Sequence, residues 1–95
     1  MTINKNDANT AAVRAALGVV RDALETEPPS ATVASALEQC ERLELALTQF
    51  HTEGLRFAAF TLLRTVNRAG PALGEAVHSA TLQLKTALES AGYPH

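Results

Sequence analysis

Hydrophobic residues recur along this chain at the three- and four-residue spacing of amphipathic α-helices, and no stretch alternates as a β-strand does. The first such segment covers residues 8–25. We expect Asp7 or Asn9 to cap its start, and Pro28 and Pro29 to end it because proline lacks an amide donor. The positions that this segment is predicted to bury are Ala12, Val13, Ala16, Leu17, Val19, Val20, Ala23 and Leu24.

A second segment covers residues 31–51, with Ser30 as its predicted N-cap. Gly54 lies between this segment and a third one, residues 55–69. In one straight helix through Gly54, the apolar stripe would rotate by about a quarter of a turn. We therefore predict a break at Gly54, and one continuous helix over residues 31–69 is the alternative. The apolar positions of the second segment are Val33, Ala36, Leu37, Cys40, Leu43, Leu47 and Phe50.

Gly70 and Pro71 separate the third segment from a fourth, residues 72–91, because glycine favours helix ends and proline favours first turns. Four amphipathic helices with short connections predict an all-α, up-and-down antiparallel bundle; with residues 31–69 continuous, it would have three helices. We expect residues 8–92 to form one domain, between a flexible N-terminus (1–7) and a C-terminal tail (93–95). The core positions predicted for the last two segments are Leu55, Ala58, Ala59, Leu62, Leu63, Val66 and Ala69, then Leu73, Ala76, Val77, Ala80, Leu84, Ala87, Leu88 and Ala91.

The composition indicates a folded chain and limits its partners. With 46% hydrophobic residues, the 95-residue chain has enough apolar surface to fold. Its net charge of -2 gives no long-range attraction to nucleic acid or to anionic lipid. The sequence shows neither a signal peptide nor an apolar run of bilayer length, so we expect a cytoplasmic protein without membrane or nucleic-acid partners. Cys40 is the sole cysteine and lies among leucines, which predicts a buried, unreactive thiol.

Two sets of polar residues have spacings known from metal sites. Glu75 and His78 match the Glu-x-x-His spacing of di-iron bundles, but the helical wheel places both on the polar side of the fourth helix. Glu38, Glu41 and Glu44 advance in three-residue steps and fan over about 120° of the second helix, so they do not converge on one ion. We predict no catalytic residue, no metal and no cofactor.

His78 also suggests the main alternative function. A histidine on the surface of a helical bundle resembles the histidine-containing phosphotransfer domains, whose motif places a lysine and a glycine three and four positions after the histidine. This chain has Thr81 and Leu82 there. The alternative is therefore a histidine phosphotransfer or metal-dependent enzyme that uses the His78 region.

The third segment has a second, unusual side, opposite its core positions. This side holds two phenylalanines among three arginines: Arg56, Phe57, Phe60, Arg64 and Arg68. Two aromatic rings turned away from a complete core face would expose a large apolar area, and both residue types are enriched in the cores of protein interfaces. We predict that these five residues form the interface of a homodimer, with an unidentified protein as the alternative partner, and that the protein is a non-enzymatic interaction or regulatory module.

Charge distribution adds a further expectation. Residues 30–53 contain four glutamates and one arginine, a net charge of -3. Residues 54–69 contain three arginines and no acidic residue, a net charge of +3. The two helices are therefore electrostatically complementary. Glu44 is the carboxylate that the helical wheel turns toward the apolar stripe, and we predict that it pairs with Arg56 or Arg64.

Overall fold

The computed structural model describes residues 5–49 and 52–92, with side chains in 10–49 and 53–92. The described residues form four α-helices and no strand: α1 (Lys5–Thr26), α2 (Ala31–Gln49), α3 (Thr52–Ala69) and α4 (Glu75–Ala91), with a short 3₁₀ turn at Gly70–Ala72. The all-α prediction is confirmed. In this described part, no helix combines the length and the hydropathy that crossing a bilayer would require.

Neighbouring helices of the bundle run antiparallel. α1 packs most extensively on α4, and α2 packs on α3. The start of α2 lies beside the end of α3, where Thr32 and Thr65 line one cleft. The end of α1 meets the start of α4, where Gly74 N–H donates a hydrogen bond of 3.1 Å to Glu27 Oε2. The up-and-down bundle is confirmed, and the alternative of one continuous helix over residues 31–69 is wrong because its two halves lie side by side.

The core consists largely of the predicted positions. Ala12 and Val19 are exceptions, since both are exposed at one edge of the apolar arc of α1, and Ala76 is exposed on α4. Thr81 is buried although the apolar pattern omits it, and its hydroxyl donates to the carbonyl of Val77 at 2.7 Å, which satisfies the buried polar group. The fully enclosed large side chains are Leu24, Leu43, Leu47, Leu62, Leu84, Leu88, Val13, Val20, Val66, Val77 and Cys40.

Three helix termini carry a capping residue that the sequence indicates. Ser30 Oγ accepts a hydrogen bond from Val33 N–H at 3.1 Å, so Ser30 caps α2 as predicted. Gly70 and Gly92 adopt left-handed backbone conformations, with φ of 51° and 77°, where α3 and α4 end. Each of these ends therefore depends on a residue type that the sequence identifies.

The start of α1 differs from the prediction. α1 begins at Lys5, three residues before the predicted start. Asp7 and Asn9 consequently lie inside the helix and are not its caps, and residues 5–7 belong to α1 rather than to a flexible segment. The remaining residues assigned to flexible ends, 1–4 and 93–95, lie outside the described residues.

The break before α3 and the start of α4 also lie at other positions than predicted, whereas α3 ends at Ala69 as predicted. α2 ends at Gln49 and α3 begins at Thr52, so Gly54 lies within the first turn of α3 and is not the break. Residues 50–51, assigned to the second helix, lie outside the described part. α4 begins at Glu75 and not at residue 72, because Leu73 is buried in an extended conformation (φ -110°, ψ 146°).

Candidate interaction surface on the third helix

α3 has a buried side and an aromatic, basic side. Its predicted core residues are buried or half-buried, whereas Phe57 and Phe60 expose 67% and 51% of their surface. Both rings therefore lie outside the core, as their positions about half a turn from Leu62 predict. We refer to the five exposed residues Arg56, Phe57, Phe60, Arg64 and Arg68 as the arginine–phenylalanine face.

The arginines of this face have few partners within the chain. The guanidinium carbon of Arg64 lies 6.0 Å from the centre of the Phe60 ring, a cation–π contact at the surface. No described carboxylate forms an ion pair with Arg56, Arg64 or Arg68. As far as the described side chains extend, the face consequently presents positive charge without a paired carboxylate around two apolar rings.

Glu44 pairs with an arginine, but not with either of the predicted ones. Its Oε1 lies 3.0 Å from Nη2 of Arg21 on α1. The hydrogen bond that Arg21 donates to this carboxylate, together with the attraction between the two charges, raises the pKa of Arg21 above its ordinary value. Glu44 lies on the side of α2 that faces α1, whereas Gln39 lies on the side that faces α3, so Arg56 and Arg64 are not its neighbours. About half of the Glu44 side chain (48%) is exposed, so it borders the core and is not enclosed by it.

The other acidic residues of α2 do not neutralise α3 either. Glu38 pairs with Arg42 one turn later in α2, at 3.2 Å and with both side chains largely exposed. Glu41 is exposed. Within the described part of the chain, the net charges of α2 and α3 are opposite without an ion pair joining the two helices.

A groove separates α3 from α4. These two helices make the least contact of the adjacent pairs, and a space of about 600 Å³ lies between residues 60–67 of α3 and residues 78–85 of α4. Phe60 and Leu82, the latter 64% exposed, line it from opposite helices, together with the cations Arg64 and Lys85. We refer to this space as the α3–α4 groove. The hydrophobic pattern does not predict this groove, although the apolar Leu82 on the polar side of α4 is a signal of it.

His78 lies in the wall of this groove and is half-buried. Its Nε2 lies 2.6 Å from the carbonyl oxygen of Gly70, so the Nε2–H donates to this carbonyl. Glu75 is exposed. Glu75 thus lies on the exposed side of α4 as the helical wheel predicts, whereas the wheel did not indicate that the half-buried His78 joins the end of α3 to α4.

Metal-binding geometry is not apparent in the described part of the chain. No three His, Cys, Asp or Glu side chains there come close enough together to hold an ion. Cys40 is fully buried, as predicted, and burial raises the pKa of its thiol to about 12. Since the thiolate is the nucleophilic form, both the burial and the raised pKa disfavour a reaction of Cys40 at neutral pH.

Comparison with known proteins identifies no relative. No protein family, curated protein or solved structure matches this chain. The function must therefore be inferred from the arginine–phenylalanine face and from the α3–α4 groove.

Proposed function

We propose that this protein is a non-enzymatic helical module that self-associates through its arginine–phenylalanine face. The main observation in favour is that Phe57 and Phe60 are more than half exposed on one helix. Two apolar rings left in water forgo the free energy that their burial would contribute, so a face that keeps two of them is typical of an interface.

The core does not need these rings. Leu55, Leu62 and Val66 are almost completely buried on the opposite side of α3, so this helix is already anchored in the bundle. Substitution of both phenylalanines therefore removes apolar surface without leaving a cavity. The interaction surface is thus separable from the fold, which makes the proposal testable.

A two-fold dimer would use the face twice. The same patch of each copy then contacts its own counterpart, so the rings form the centre and the arginines form the rim. Central aromatic residues contribute most of the binding free energy in such interfaces, on the order of 2 kcal/mol or more for each truncation. The rim arginines remain hydrated.

The test is the solution mass of the protein with and without the rings. We expect the wild-type protein to have about twice the mass of the 10.1 kDa chain at high micromolar concentration, by light scattering coupled to size exclusion. The double variant Phe57→Ser/Phe60→Ser should have the mass of a monomer, with its helical circular dichroism retained.

Leu45→Ser is the matched control, because Leu45 is also an exposed large hydrophobic residue but lies on α2. We expect this variant to keep the wild-type mass. A monomeric wild-type protein, or an unchanged mass in the double variant, would contradict the proposal. An unfolded double variant would show that the rings contribute to the fold itself.

A further inference from the structure

We propose that the α3–α4 groove binds a small anionic amphiphile, a molecule with an apolar chain and one carboxylate or sulfonate head. This inference goes beyond self-association and does not require it. Phe60 and Arg64 belong both to the groove and to the arginine–phenylalanine face, so a bound ligand and a dimer partner would compete for them. It is based on the shape of the groove, on its apolar walls and on the sign of its charges.

The size and lining of the groove suit a small molecule. A volume of about 600 Å³ lies within the range of 300–1,000 Å³ that is typical of small-molecule sites. Phe60, Leu63 and Val66 line it from α3, and Leu82 lines it from α4. An apolar chain placed there would remove the exposed surfaces of Phe60 and Leu82 from water, and this burial favours binding.

The charged groups of the groove all have the same sign. Arg64 and Lys85 lie on opposite walls, and no carboxylate is among the residues that line the groove. Neither cation forms an ion pair with a described carboxylate. An anionic head group between the two helices would meet both cations, whereas a cationic one would be repelled.

His78 lies at the end of the groove that is next to Gly70, and its hydrogen bond holds this part of the groove wall. Its Nε2–H is donated to the carbonyl of Gly70, which holds the imidazole in place between the end of α3 and the first turns of α4. The buried Thr81 hydroxyl is already used in a hydrogen bond to Val77. Few hydrogen-bonding groups of the groove remain for a ligand besides the two cations, so charge and apolar length should decide which molecules bind.

The experiment is an NMR titration of the ¹⁵N-labelled full chain with decanoate below its micelle-forming concentration. Decyltrimethylammonium, with the same chain length and the opposite charge, is the control ligand. We expect saturable chemical-shift changes concentrated in residues 60–67 and 78–85 with decanoate, and none of this pattern with decyltrimethylammonium. Changes spread over the whole surface, or equal effects of both ligands, would overturn the proposal.

Charge variants test the role of the two cations. Arg64→Gln/Lys85→Gln should weaken decanoate binding on the order of tenfold, because two charge contacts are lost. Arg14→Gln/Arg42→Gln removes the same number of charges from exposed positions on α1 and α2 and should leave the affinity unchanged. Equal affinity in the two double variants would contradict the assignment of the head group.

Two further measurements separate this proposal from others. Phe57 does not line the groove, so Phe57→Ser should bind decanoate at least as tightly as the wild-type protein, even if self-association is lost. Loss of decanoate binding in this variant would show that the site requires the dimer and would overturn the proposal as stated. Co-sedimentation with anionic phospholipid vesicles, without saturable binding of decanoate, would instead indicate a membrane surface as the partner.

Discussion

At the residue scale, Cys40 links burial to the pH dependence of stability. Burial raises the pKa of its thiol from an ordinary value of 9.0 to about 12. The unfolded chain therefore loses this proton at a lower pH than the folded protein does. Between about pH 9 and pH 12 the folded state binds more protons, so the free energy of unfolding decreases as the pH rises.

We expect this decrease to approach about 1.4 kcal/mol per pH unit from Cys40 alone at about pH 10–11, and to vanish below about pH 8. Urea unfolding under reducing conditions at several pH values would measure it. Cys40→Ala is the reference, since it lacks the thiol while all other titrating groups are the same. Parallel pH profiles of the two proteins would contradict the expectation.

The structural role of an individual residue could be predicted where the geometry of its own helix is sufficient. The N-cap at Ser30 and the burial of Cys40 depend on spacing within one helix, and both are confirmed. The partner of Glu44 could not be predicted in this way. A helical wheel gives the angle of a side chain but not which helix lies beside it, and Arg21 on α1 is that neighbour.

At the element scale, one hydrogen bond joins two helices that are distant in sequence. Glu27, just beyond α1, accepts the N–H of Gly74, the residue before α4. A Cβ atom at position 74 would lie 2.6 Å from Glu27 Oε2, so the carboxylate would have to move away. The contact thus requires both the carboxylate and a glycine.

We expect Gly74→Ala to destabilise the protein by about 0.5–1.5 kcal/mol, the net value of one hydrogen bond. Glu27→Ala should cost a similar amount, and the two changes together should cost little more than either one. Thermal unfolding of the four proteins would provide the cycle. Gly18→Ala serves as a control, because nothing lies near a Cβ there and alanine favours a helix. Additive effects of the two substitutions would contradict a direct contact.

Helix number and order could be predicted from periodicity, but the helix boundaries could not. The apolar stripes of residues 31–49 and 55–69 differ in direction, which correctly indicates two helices. Glycine alone does not locate the break, since Gly54 is tolerated in the first turn of α3. The α3–α4 groove also could not be predicted. It depends on how far the two helices separate, and this follows from the 3₁₀ turn, the extended Leu73 and the contact of His78 with Gly70.

At the scale of the whole molecule, the proposed dimer would bring two positively charged surfaces together. Arg56, Arg64 and Arg68 of each copy would approach those of the other, without described carboxylates to compensate them. Salt shortens the range of such repulsion. We therefore expect self-association to become tighter as sodium chloride is raised from about 50 to about 500 mM.

Sedimentation equilibrium at several salt concentrations would measure this dependence. The variant Arg56→Gln/Arg68→Gln should show a weaker salt dependence, because it carries less of the repelling charge. Association that weakens with salt would point to contacts between unlike charges instead, as between α3 of one copy and the acidic α2 of another.

The packing of α1 on α4 also has a consequence for the order in which the chain folds. The hydrogen bond between Glu27 and Gly74 joins residues 47 positions apart, and the most extensive helix pair of the bundle is likewise the most distant in sequence. Bringing such segments together costs more chain entropy than closing the short connection between α2 and α3. The α2–α3 hairpin can therefore assemble early and locally. Docking of α1 on α4 then becomes the late event, so substitutions in that interface should speed unfolding more than they slow folding.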